Sequence, residues 1–322
     1  MKSRFFLKTS TLRWLTSEPA DPFWNMALDE AVIREVLAFR SPPTIRFYQW
    51  DRPSVSIGYF QDPETALNPL KLAERKVPWV RRMTGGKAVY HFRELTYSLA
   101  LPDHFSAGRI PPDLSGSCEK IGSAFAEALN RLGAPVRLYR NPRPTGAAGQ
   151  DARKMDPLCF SIPSAGEALI EGKKVIGSAQ KKFKGGFLQQ GSILLNHRLE
   201  DFISLFQGKP DREREFVGLF DFLGKEIGRE ALEASLVAGL ERSIECGAFR
   251  GTVSEREIET ARELAENKYR EPGWNLKRLP HASAGGKKPP LLVAQRVDRP
   301  QVGRQIGRIK AKKNPDQSGE TE

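Results

Sequence analysis

The chain has 322 residues, 39% of them hydrophobic, enough to bury a sizeable core, and a formal charge of +12. No apolar run approaches the ~20 residues a bilayer span needs, and charge interrupts the short apolar patch near the N-terminus before a signal-like core develops, so a cytoplasmic protein with no membrane partner is expected. Its three cysteines, Cys118, Cys159 and Cys246, are odd in number, widely separated and without CxxC spacing, which indicates neither a disulfide framework nor a zinc site.

Residues 11–16 read as a short strand, and Asp21-Pro22 then opens an amphipathic helix over 23–39, where Ala27, Leu28, Ala31, Val32, Val36 and Leu37 recur at helical spacing. Residues 44–50 and 54–59 are β-type segments with a proline-containing turn between them, which predicts antiparallel neighbours. Further short strands are expected at 79–82, 88–91 and 95–101, broken at Gly85-Gly86 and at Phe92-Arg93-Glu94. Residues 118–132 predict a helix that ends at Gly133, with Cys118 on its first turn.

After a strand at 136–139 comes a stretch rich in proline, glycine and arginine, 141–154, which reads as a mobile loop just ahead of Cys159. Three strands, 167–171, 174–182 and 187–196, follow, joined by Glu171-Gly172-Lys173 and Lys184-Gly185-Gly186. Helical segments begin at 202–206 and continue at 230–244 and 255–269. Composition then changes: residues 279–322 hold nine lysines and arginines against four aspartates and glutamates, +5 of the total charge, and read as a basic disordered tail. Residues 1–278 are expected to form one domain of mixed α+β class, with largely antiparallel and mixed sheets flanked by helices. The basic tail raises the possibility of a nucleic-acid binder, but its cations lack interleaved aromatics and a nucleic-acid partner is the weaker reading.

Gly85-Gly86 alone reads as a turn needing positive φ. Flanked by Arg81, Arg82, Lys87 and His91, it also reads as a loop whose bare backbone approaches a negative ligand group. Cys159 in isolation is a buried apolar residue. Its position after the basic loop, with Lys174 on an adjacent predicted strand, makes it a candidate nucleophile, because a neighbouring ammonium raises the thiolate fraction. Lys173 reads as a solvated turn residue. Lys174 precedes the apolar, small-residue run Val175-Ile176-Gly177-Ser178-Ala179, where burial and an anion would make a lysine chemically useful; the small residues either leave room for a ligand chain or permit close sheet packing.

In order along the chain, Asp21 to Glu30, Arg81 to His91, Glu94-Leu95-Thr96-Tyr97-Ser98, Gly172 to Gln180, Leu188 to Ser192, Lys268-Tyr269 and Trp274-Asn275 resemble the biotin/lipoate ligase and lipoyl/octanoyl transferase family. The resemblance implies that family's catalytic-domain fold. Cys159-Phe160 matches the octanoyltransferase branch, which passes an acyl group through a cysteine thioester, whereas the ligase branch activates a free acid with ATP. The ligases also more often carry a third glycine where this chain has Lys87.

The activity so implied is transfer of an octanoyl group from octanoyl-acyl carrier protein to a lysine of a lipoyl-accepting protein, the glycine-cleavage H protein or an E2 lipoyl domain. ATP-dependent lipoate ligation and amidotransfer between lipoyl-domain proteins are the alternatives. Cys159 and Lys174 would be catalytic, with Arg82, Thr84, Gly85, Gly86, Lys87, Ala88, Val89, His91, Gly177, Ser178 and Ala179 binding substrate. Strand faces around Val89, Ala179 and Ile193 would line an acyl tunnel. No metal and no cofactor is implied, ATP and Mg²⁺ belonging only to the ligase alternative. Two positions depart from the family pattern: Gln190 stands where a histidine is common, and Phe92-Arg93 where an acidic residue often follows the motif histidine.

Overall fold

The computed structural model describes residues 11–139, 166–196, 202–207 and 216–278. Strand β1 (Thr11–Thr16) leads into helix α1 (Pro22–Leu37), whose start is fixed by the Asp21 carboxylate accepting from the Phe23 and Trp24 amides at 2.9 and 3.0 Å and by Pro22 in the first turn. Strands β2 (Thr44–Tyr48) and β3 (Ser54–Ile57) follow, then helical turns α2 (Pro63–Ala66) and α3 (Pro69–Glu74), each entered through an Asp or Asn cap and a proline. Next come β4 (Trp79–Arg81), β5 (Val89–His91), β6 (Glu94–Pro102), the turn α4 (Asp103–Ser106) and the long helix α5 (Leu114–Arg131).

Beyond β7 (Val136–Leu138), strands β8 (Ala168–Ile170), β9 (Lys173–Phe183) and β10 (Gly186–Leu194) form a meander. A short α6 (Leu219–Leu223) and then α7 (Arg229–Ile244) lead to β11 (Gly247–Arg250). Finally α8 (Glu255–Leu264), opened by a Ser254/Glu257 capping box, widens into a π-turn at Ala265–Tyr269 before α9 (Pro272–Lys277). No helix among the described residues is long and apolar enough to cross a membrane.

Eight strands form one mixed sheet in the order β11-β1-β2-β6-β10-β9-β8-β7, parallel from β11 to β2 and antiparallel from there on. Strand alternation divides its residues between two cores. On one face Leu95, Tyr97, Leu99 and Ile193 pack with Phe125 and Leu129 of α5 and Leu236 and Leu240 of α7; on the other, Tyr48, Ala100 and Leu188 pack with α1, which is itself covered by Ala261 and Leu264 of α8. A second sheet, β4-β3-β5, carries the segments on either side of the Gly85-Gly86 loop.

Two local expectations change. Strands β2 and β3 are not partners: β2 pairs with β1 and β6 on its two edges, while β3 is the centre of the small sheet. Both edges of β2 being occupied, the chain at Asp51-Arg52-Pro53 is led away, with the Asp51 amide bonded to the Ala20 carbonyl at 3.1 Å. Cys118 lies one turn into α5 rather than at its start, because Asp113 caps the helix through the Gly116 amide at 2.7 Å.

Candidate active site

Where the small sheet faces β6, β10 and β9, a cleft opens with about 370 Å³ of space including its mouth. It is lined by Met26, Tyr48, Trp50 and Val89 among the larger side chains and by Gly177, Ser178 and Ala179 of β9, with Ser56, Arg82, His91, Thr96, Gln190 and Ser192 supplying polar groups. Of the residues expected to bind substrate, Arg82, Val89, His91, Gly177, Ser178 and Ala179 meet at this cleft. Thr84, Gly85, Gly86, Lys87 and Ala88 form the loop above it.

That loop is held by close approach. Gly86 has φ +83°, and a β-carbon there would lie 3.3 Å from that of Ala179 and 2.8 Å from the Arg82 guanidinium. Arg82 in turn donates to the carbonyls of Gly85 at 2.6 Å and Lys87 at 2.7 Å, so the guanidinium braces the turn from inside. Arg81 points the other way: it donates to the Tyr59 and Gln61 carbonyls and to that of Asn275, tying the 58–61 turn to α9.

Beneath the loop lies a buried polar network on the α1 face of the sheet. Asp29 of α1 accepts four hydrogen bonds, from Arg46 and Ser98 at 2.7 Å each on Oδ1 and from Tyr48 at 2.8 Å and Gln190 at 2.7 Å on Oδ2. Gln190 also accepts from the Thr84 hydroxyl at 2.8 Å, so the residue that replaces the common histidine bridges the glycine loop to α1. The second departure is equally well accommodated. His91 Nδ1 lies 2.6 Å from the Glu94 carboxylate, so the acidic partner comes three residues later, after Phe92 and a left-handed Arg93 at φ +53°.

Glu94 further accepts from the Thr96 hydroxyl at 2.6 Å and from that of Ser192. Burial alone would push its carboxyl up; the charge of His91 and the hydrogen bonds from His91, Ser192 and Thr96 outweigh it and hold it below its ordinary value. On the other ring nitrogen, His91 Nε2 lies 2.7 Å from the Ser56 hydroxyl, and the ring stacks on Trp50 with centroids 3.8 Å apart.

Lys174 stands at the start of β9, 1% exposed, with Nζ 2.6 Å from Glu167 Oε1. By strand alternation it shares the face of Ser178 and Gln180; Ser178 bonds to Tyr97, and Gln180 accepts from Ser117 of α5 at 3.0 Å. Lys174 is not among the residues lining the cleft. Ile193, expected in a tunnel wall, points into the α5 core, since the cleft takes Gln190 and Ser192 from β10. Cys159 and the 141–154 stretch fall outside the described residues, as does 279–322. The thiols of Cys118 and Cys246 are both pushed up to about 11, by burial first and then by Glu167 and Glu241 respectively, which suits structural roles. Among the described residues no group of three or more His, Cys, Asp or Glu side chains could hold a metal ion.

Sequence reasoning left Asp29, Ser56, Trp50, Glu94 and Glu167 without roles. The available signal was polarity at strand spacing: Glu94, Thr96 and Ser98 on β6 alternate with apolar residues, and Gln190 and Ser192, two apart on β10, lie opposite Ser98 and Thr96 and extend that polar stripe.

Residues 21–240 match the description "Lipoyl protein ligase A/B catalytic domain". The chain is similar to the octanoyltransferase LipM of Moorella thermoacetica, 34% identical over 283 residues covering 84% of this chain and all of that protein. LipM of Bacillus subtilis is 31% identical over 281 residues, again 84% of this chain and all of that one. Among solved structures, a lipoate-protein ligase A bound with ATP superposes with a TM-score of 0.68 at 25% identity, covering 84% of this chain and all of that one.

Proposed function

The chain belongs to the lipoyl protein ligase A/B catalytic domain family and is an acyltransferase, and from that premise we propose that it moves an octanoyl group from octanoyl-acyl carrier protein, through a Cys159 thioester, to a lysine of a lipoyl-accepting protein in lipoate biosynthesis. The acceptor is the glycine-cleavage H protein or an E2 lipoyl domain. The observation that carries the reading is the cleft itself, which is lined by the small residues Gly177 to Ala179 together with Met26 and Val89 and so leaves an apolar-walled space for an acyl chain, with Gly86 packed against Ala179 at its side.

In this mechanism the Cys159 thiolate attacks the donor carbonyl and releases the phosphopantetheine thiol. One thioester replaces another, a step close to even in free energy. The acceptor amine then attacks the Cys159 thioester, forming the amide and regenerating the thiol, a step that runs downhill without ATP. Lys174 contributes a buried cation that favours the thiolate and polarises the acyl carbonyl, with Glu167 fixing its position. Arg82 braces the loop over the chain. No cofactor or metal takes part.

The ATP-bound ligase among the structural neighbours gives the second reading a footing, lipoate ligation with ATP and Mg²⁺; amidotransfer from octanoyl-H protein would share the cysteine. Assays offering octanoyl-acyl carrier protein, octanoyl-H protein, or free octanoate with ATP decide between them. Transfer from the carrier protein without ATP, lost in Cys159→Ala, is expected. Transfer that needs ATP and survives Cys159→Ala would replace the proposal with the ligase.

A further inference from the structure

Ser56, His91 and Glu94 lie in line. Arg82 Nη1 donates to the Ser56 hydroxyl oxygen at 3.2 Å, and that hydroxyl lies 2.7 Å from His91 Nε2. In the neutral ring with the proton on Nδ1, His91 donates to Glu94 at 2.6 Å and accepts from Ser56 through Nε2. The carboxylate is surrounded by three donors, His91, Thr96 and Ser192, and the ring plane is fixed by Trp50, whose indole N–H is bonded to Thr96 at 2.8 Å. This is the hydroxyl–imidazole–carboxylate order of a serine nucleophile, with a guanidinium beside the hydroxyl where negative charge would develop.

Its placement favours chemistry over a purely structural hub. Ser56, His91 and Arg82 all line the cleft, and the Ser192 hydroxyl that donates to Glu94 belongs to the residue paired with Gly177, three positions along β9 from Lys174. The proposed cysteine route assigns no role to Ser56 or Glu94.

We propose that Ser56 is a second acyl-accepting nucleophile, which takes a medium-length acyl group from a thioester in the cleft and releases it to water as the free acid. Ser56 Oγ attacks the carbonyl carbon while its proton passes to His91 Nε2; the C–O bond forms, the C–S bond breaks, and the leaving thiolate takes the proton from His91. Water, deprotonated by His91, then cleaves the ester and restores the Ser56 hydroxyl. The choice of an acyl chain as ligand rests on the transferase reading; the nucleophile itself rests on the geometry.

The test is an octyl fluorophosphonate probe on the full-length protein, with the labelled peptide located by mass spectrometry. Label is expected on Ser56 in the unmodified chain and in Cys159→Ala, lost in Ser56→Ala, and formed about a hundredfold or more slowly in Glu94→Gln. Octanoyl thioester hydrolysis should persist in Cys159→Ala, be lost when Ser56→Ala is added to it, and fall about a hundredfold when Glu94→Gln is added instead. Label elsewhere, or none on Ser56 of the unmodified chain, overturns the proposal whether or not any variant folds. Retention of the Ser56 label in Cys159→Ala separates it from the fate of the cysteine mechanism.

Discussion

Gly58 and Gly86 cross so closely that a β-carbon on Gly58 would lie 1.8 Å from the Gly86 carbonyl oxygen. This contact sets how far the glycine loop can descend on Ala179, and both partners to the clash are backbone, so neither can swing aside. Gly58→Ala should therefore cost about 3 kcal/mol of stability and open the loop. Gly247→Ala is the control, since its β-carbon would meet only the Thr11 methyl at 3.5 Å. Urea unfolding of the two variants checks the contrast.

Asp29 is the point on which α1, β2, β6 and β10 converge, and neither its side chain nor that of Arg46 has any exposure. Asp29→Ala leaves a buried guanidinium without its counter-charge and should destabilise the fold by about 3–5 kcal/mol. Because Gln190 links Asp29 to Thr84, the loss should also raise KM for the acyl donor. Equilibrium unfolding and steady-state kinetics measure the two effects separately.

How much of this was legible in the sequence depends on distance along the chain. Helix α1 announced itself through Asp21-Pro22 and its apolar spacing, and the β8–β9–β10 meander through two glycine turns, because caps and turns are local chemistry. The separation of β2 from β3 was not legible: which strand fills an edge is decided by β1 and β6, tens of residues away. The site divides in the same way. Arg82, Val89, His91 and Gly177 to Ala179 stand out as motifs, whereas the partners that orient them are distant, Gln190 reaching Asp29 across 161 positions. Glu94 was within reach, three residues from His91 and in phase with Thr96 and Ser98, but a carboxylate on a strand signals a buried network only once its face is known.

Glu30 gives a pH dependence. Burial raises its carboxyl, but Lys268, Arg34 and the Tyr269 hydroxyl more than reverse this and bring it from 4.5 to about 2. A carboxyl lower in the folded state stabilises above its unfolded value, and that contribution is lost as pH falls from 4.5 towards 2. It is worth about 3 kcal/mol at neutral pH. Glu30→Gln should be less stable at neutral pH and flatter in its acid unfolding profile over that window, as followed by circular dichroism.

Lys174 and Glu167 offer a way to separate charge balance from chemistry. Lys174→Met removes the ammonium from the Glu167 carboxylate and should lower both stability and transfer rate, the latter about 100-fold. Adding Glu167→Gln should recover most of the stability and little of the rate. Thermal unfolding and octanoyl transfer assays on the single and double variants check this; a double variant that regains activity would make the lysine structural.

The central claim is a thioester on Cys159, and intact-mass spectrometry of the purified chain mixed with octanoyl-acyl carrier protein and no ATP tests it most directly. One octanoyl group per chain is predicted, mapped to Cys159, cleaved by hydroxylamine and absent from Cys159→Ala. A chain that stays unmodified under these conditions, yet octanoylates its acceptor once ATP and free octanoate are supplied, would contradict it.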